Sequence, residues 1–150
     1  MKQITQMLVV LLFGLIAVGN AAAEGTESRK QADADYAADR YEAAAAKYEK
    51  WVETHPKDHE AWFRLGNAYN NLIQPMKALA AWRAAQKLKP KDPRAWHNMG
   101  LLYLRMAVES YDNLRRNVPK NDPMVPFSQH AINSILNLIS YRALKEPRKR

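Results

Sequence analysis

The 150-residue chain contains no cysteine. This excludes a disulfide framework, a thiolate metal site and lipid attachment through a cysteine. Stability must then come from packing. Glycine is scarce as well: the five present are nowhere clustered, so there is no Gly-rich loop to wrap a phosphate. The four histidines are His55, His59, His97 and His130, and none belongs to an HExxH motif or stands beside a paired carboxylate. Pro56 separates His55 from His59, so one helix face should not carry both. Ser128 near His130 and Ser110 near Asp112 lack the glycine setting of a nucleophile elbow. These absences point away from an enzyme, a metal site and a cofactor; we expect no catalytic residues.

A long apolar run is also missing. The run from Met7 to Gly19 is shorter than the roughly 17–25 residues of a membrane-spanning helix, and no basic flank follows it. Lys2 precedes it, and Ala21-Ala22-Ala23 supplies small residues at a cleavage site. We expect residues 1–23 to be a signal peptide cut after Ala23 and residues 24–150 to be the mature chain, with no stable transmembrane anchor. The protein is then exported, with a periplasm as the first compartment. Acid is sparse in one part of the chain. Residues 24–60 carry ten acidic and six basic side chains, whereas residues 61–150 carry five and sixteen, a net charge of +11. That balance favours an acidic partner surface in the cell envelope; nucleic acid is not expected for an exported chain.

What is present is a period. Pro56-Lys57-Asp58, Pro90-Lys91-Asp92 and Pro119-Lys120-Asn121 each close an apolar helical pattern, and the first two lie 34 residues apart. Between them Trp62, Leu65, Gly66, Tyr69 and Leu72 share one helical face, with Gly66 allowing a close approach. Pro75 can open a second helix from its first turn, where its missing N–H costs little. Ala78, Ala81, Trp82, Ala85 and Leu88 form that helix's face. Neither helix buries its stripe alone, so stacking must complete the core.

This spacing closely resembles the tetratricopeptide repeat. Trp62, Leu65-Gly66, Tyr69, Ala78 and Pro90 stand at the family's positions, with Trp82 where Phe is usual. One repeat, about residues 59–92, is complete. Upstream, Ala44, Tyr48 and Pro56 keep the second-half spacing, behind a first helix (about Ser28 to Ala38) that reads as a solvent-facing cap. Downstream, Trp96, Met99-Gly100 and Tyr103 repeat the first half. Aligning Ala107, Tyr111 and Pro119 to the second half would require five turn residues to be missing. The apolar rhythm Trp96, Gly100, Tyr103, Ala107, Tyr111, Leu114, Val118 instead runs on without a Gly or Pro until Pro119. It predicts one fused helix from about Pro93 to Val118, roughly 39 Å long. After a turn in which Asp122 accepts free amides, Phe127, Ala131, Ile132, Ile135, Leu136, Leu138 and Ile139 form a further apolar helix. This helix either caps the array or docks a partner through Phe127, Ile132, Ile135, Leu136 and Ile139. Residues 143–150 read as a basic, flexible tail. The expected fold is all-α: antiparallel helical hairpins stacked as a short array, ending in a long fused helix and a packing helix.

The resemblance implies function as well. In the family, the first helix of each pair lines a concave groove for a protein ligand. Carried onto this chain, the groove comprises Phe63, Arg64, Asn67, Asn70 and Asn71, then Arg94, His97, Asn98, Leu101 and Arg105, with Arg29 and Asp33 in the cap. Asn is a mediocre helix former, so three within five residues suggest amides that pair with an extended peptide. Some family members clamp carboxylates with basic and Asn residues at these positions; Asp33 stands where Asn is usual and would repel an acidic ligand. The reading is a scaffold or assembly adaptor for an envelope protein or its acidic peptide. The alternatives are a permanent structural subunit held through the C-terminal helix, or a binder of anionic glycan or lipid.

Overall fold

The computed structural model describes residues 27–145, within which every regular element is an α-helix. Helix α1 covers 27–37, α2 Tyr41–Thr54, α3 His59–Asn71, α4 Pro75–Leu88, α5 Pro93–Asn117 and α6 Met124–Lys145. The expected signal peptide (residues 1–23) and the last five residues of the expected tail lie outside the described residues; α6 itself continues to Lys145. The chain divides into two compact units, one ending at Asp92 and one beginning at Pro93.

In the first unit, α3 packs against both α2 and α4. The expected faces hold in their main lines. Leu65, Gly66 and Tyr69 are buried on α3, and Ala78, Ala81, Trp82 and Ala85 on α4, while Trp62 and Leu72 are half-buried and Leu88 is exposed. Pro75 occupies the first turn of α4 as expected. Asp58 caps α3 by accepting from the Ala61 amide at 3.0 Å. Two helix ends share a further device. The Asp39 (φ 57°) and Ile73 (φ 56°) backbones are left-handed and stand 34 residues apart. After α3, the Gln74 amide reaches the Tyr69 carbonyl (2.9 Å) and the Ile73 amide reaches that of Asn70 (3.2 Å). This is the hydrogen-bond pattern of a Schellman stop.

The cap differs from expectation. On α1, Ala32 and Asp35 are buried, so the helix has an inner side. Asp35 can be buried because Arg40 (2.7 Å) and Lys47 neutralise it from the following turn and from α2. Reading this helix as solvent-facing missed that inner side, because the two cations that allow Asp35 to be buried come from elsewhere in the hairpin.

In the second unit, α5 is the uninterrupted 25-residue helix that the rhythm predicts. Where the complete repeat has Ile73-Gln74-Pro75, α5 has Ala107-Val108-Glu109, without the proline that would bias the preceding residue out of the helix. Helix α6 packs on α5. Tyr111 and Phe127 meet edge to face at 6.0 Å, and Arg115 Nη1 donates to Gln129 Oε1 at 2.6 Å. The Met124 amide donates to Asp122 Oδ1 at 2.8 Å, which is the capping role read from the sequence.

The α5 stripe itself needs correction. Its buried residues are Ala95, Met99 and Leu102, whereas Trp96 (54%), Gly100 and Tyr103 (44%) are exposed. In the complete repeat the corresponding glycine is covered by the helix that follows the turn; α5 has no turn there and runs on.

Candidate binding surfaces

The complete repeat is organised around Gly66. A Cβ placed there would lie 2.4 Å from Trp82 Cδ1 and 2.5 Å from its Nε1, so the indole occupies the room that a side chain would need. The buried indole donates to Asn67 Oδ1 at 3.0 Å. Replacing the family's Phe with Trp introduces a polar N–H into the core, and Asn67 satisfies it. Asn71 Nδ2 donates to the Asn67 carbonyl at 2.9 Å. The Tyr36 hydroxyl is pushed up chiefly by burial, against the charge of Arg64 and the side-chain amides of Asn67 and Asn71. The asparagine cluster thus has work inside the fold. The sequence signal was available, since a buried Trp requires an acceptor, but helical spacing does not say which residue supplies it.

The cationic side of this unit is already engaged by its own carboxylates. Arg64 Nε lies 3.5 Å from Asp33 and 3.4 Å from Glu60, and its guanidinium stands 5.9 Å from the Tyr36 ring centre. Arg29 pairs with Asp58 and, at 3.5 Å, with Asp33. Asp58 is a junction: beyond capping α3 and pairing with Arg29, it accepts the Trp51 indole at 2.8 Å. Burial by itself would raise its carboxyl. The Ala61 amide, the Trp51 indole, the Arg29 charge and the Glu60 amide outweigh burial and hold it below the usual range. One period later, Asp92 takes His59 Nε2 at 2.8 Å. Asp33 also accepts the Tyr48 hydroxyl, which is pushed up by burial first and by Asp33 second. The Asp33 expected to repel a ligand instead holds Arg29, Arg64 and Tyr48 together.

Of the expected groove residues in this unit, Phe63 is buried and belongs to the core. Being packed on two sides, α3 has a broader apolar arc than the Trp62 stripe implied. Arg64, Asn67 and Asn70 are half-buried and Asn71 is exposed. In the second unit, Arg94 and Arg105 are exposed and His97, Asn98 and Leu101 half-buried, all along one side of α5. On α6 the expected interface splits. Ile132 is buried and Ile135 and Ile139 are half-buried, whereas Phe127 and Leu136 are exposed, joined by Met124 and Leu138. The apolar arc of α6 is wider than the surface α5 covers.

A separate cleft of about 650 Å³ opens between α2, α3 and α4, its lining including buried Val52, Leu65 and Ala81 together with Glu49, Glu53 and Lys77. Glu49 accepts the Tyr69 hydroxyl, which burial and that carboxylate push up, and Lys77 stands 5.1 Å from the Tyr69 ring centre. Among the described residues, no group of three or more His, Cys, Asp or Glu could hold a metal ion, and no helix is long and apolar enough to cross a membrane.

Comparison with known proteins agrees with this architecture. Residues 47–80 match the tetratricopeptide repeat, a span running from α2 through α3 into α4. The chain is 34% identical over 77 residues to the general transcriptional corepressor trfA of Dictyostelium discoideum. It is 35% identical over 75 residues to the general transcriptional corepressor ssn6 of Schizosaccharomyces pombe. Those matches take in 50% and 49% of this chain but 5% and 7% of the relatives' length. Among solved structures, the Sgt2 TPR domain from Aspergillus fumigatus superposes with a TM-score of 0.53 at 21% identity, covering 85% of this chain and 87% of that one. The first TPR of Spaghetti (RPAP3), bound to the HSP90 peptide SRMEEVD, gives 0.51 at 16% identity, covering 77% and 95%. The repeat match, the 34-residue period and the Gly66–Trp82 contact agree: this chain carries a tetratricopeptide repeat.

Proposed function

We propose that the protein is an exported, non-catalytic scaffold that binds an acidic segment of an envelope protein, with the periplasm as its compartment. The observation that carries the reading is the row on one side of α5, where exposed Arg94 and Arg105 flank half-buried His97, Asn98 and Leu101. The net charge of +11 over residues 61–150 supports an acidic ligand. So does the RPAP3 repeat domain, whose bound peptide SRMEEVD carries two Glu and one Asp. Arg64 is also held within the fold by Asp33 and Glu60. Export rests on the Met7 to Gly19 run and the Ala21-Ala22-Ala23 site.

An exposed Arg–carboxylate pair contributes about 0.2–1 kcal/mol, whereas truncating one shielded at an interface costs about 2–5 kcal/mol. The double change Arg94→Ala and Arg105→Ala should therefore weaken a partner captured from the envelope at least tenfold, more so at low salt, beside an Arg83→Ala control. Equal affinities would remove the α5 row from the site. Intact mass of the envelope-recovered protein tests export, and retention of residues 1–23 would refute cleavage. A second reading, a permanent subunit docked through α6, is favoured by the exposure of Phe127, Leu136 and Leu138. It predicts purification only together with the partner.

A further inference from the structure

We infer that the Trp96–Gly100–Tyr103 face of α5 is a docking site for a helix of a partner protein, one with an alanine-lined face and a single large aromatic residue. The chain contains its own template for that complex. Trp62, Leu65, Gly66 and Tyr69 on α3 recur as Trp96, Met99, Gly100 and Tyr103 on α5, 34 residues later. On α3, Gly66 leaves a recess that Trp82 of the alanine-rich α4 fills, and Tyr69 is 7% exposed. On α5, Gly100 is exposed, a Cβ there would meet no described atom within 4 Å, and Tyr103 is 44% exposed. The packing half of a repeat is therefore present in sequence while the recess at Gly100 stays open. The chain does not return to supply one, because α5 continues to Asn117.

The face suits an apolar helix. At 3.6 residues per turn, the charged residues of α5 nearest this stripe in sequence, Arg94, Arg105 and Glu109, project about 120° or more around the helix from Trp96, Gly100 and Tyr103. The same geometry separates this face from the Arg94, His97, Asn98, Leu101 and Arg105 row, so the inference concerns a different surface from the one in the proposed function. A second copy is the weaker occupant. Its equivalent helix is α4, whose Trp82 is 1% exposed against Gly66, so offering it would open its own hairpin.

A labelled synthetic peptide with the sequence of residues 74–90, which spans α4, is the probe. It should bind the full chain, and the Gly100→Leu variant should bind it at least tenfold more weakly while melting no lower than wild type. The peptide carrying Trp82→Ala should lose binding to a similar extent. Arg94→Ala with Arg105→Ala should leave peptide binding unchanged, which separates failure here from failure of the groove reading. No binding by wild type, or equal binding to Gly100→Leu, overturns the inference. So does a concentration-dependent dimer, seen by sedimentation, that Gly100→Leu abolishes, since that would assign the face to a second copy.

Discussion

Adding one methyl group at equivalent points of two repeats should change stability in opposite directions. In Gly66→Ala the new Cβ falls 2.4 Å from Trp82 Cδ1, 2.5 Å from Nε1 and 2.8 Å from Cγ. All three belong to a rigid indole that is buried and hydrogen-bonded to Asn67 at 3.0 Å, so the ring or the helix must move. Overpacking of this kind costs about 1–3 kcal/mol. Displacing the indole from Asn67 leaves a buried donor unsatisfied, at about 1–3 kcal/mol more. Alanine's better helix propensity offsets about 1 kcal/mol. The net expectation is a loss of about 1–5 kcal/mol, larger for Gly66→Leu. In Gly100→Ala the methyl meets no described atom within 4 Å, so the propensity gain of about 1 kcal/mol stands alone. Urea unfolding of both variants, followed by far-UV circular dichroism, measures the two signs. Trp82→Phe in the Gly66→Ala background should recover part of the loss, because a smaller ring without an N–H frees the recess. A Gly66→Ala variant as stable as Gly100→Ala, with an unchanged slope, would refute the close contact and the alignment built on it.

Three further outcomes follow from the same packing. Asn67→Leu should cost about 1–3 kcal/mol by leaving the Trp82 indole without its acceptor, and a smaller cost in the Trp82→Phe background would assign the loss to that hydrogen bond. Ile73 is 81% exposed in a left-handed backbone, so Ile73→Asn should raise stability by about 1 kcal/mol, read as a higher denaturation midpoint; a drop would show that the side chain is needed there. Asp35 is held below its usual range first by the hydrogen bond from Lys47 and then by Arg40. Its contribution is therefore complete above the unfolded value and fades as pH falls below about 4, so Asp35→Asn should flatten acid unfolding in that window, monitored by circular dichroism.

Much of the fold was legible because it is local. The 34-residue period, the one complete hairpin and the unbroken run from Pro93 depend on residues within a few turns of one another, and helical spacing reports those directly. Gly66 was legible for the same reason: a glycine inside a strong helical stripe points to close approach. The candidate site was less legible. The sequence placed Arg64, Arg94 and the asparagines on first helices, but it could not say what else stands within reach of them. The tertiary fold gave Arg64 to Asp33 and Glu60, Asn67 to Trp82, and Phe63 to the core. It also left Trp96 and Tyr103 exposed although they repeat the pattern of Trp62 and Tyr69. Amphipathic spacing specifies which side of a helix is able to bury; whether that side is buried depends on a second helix arriving, and that is decided by pairs of elements rather than by either sequence.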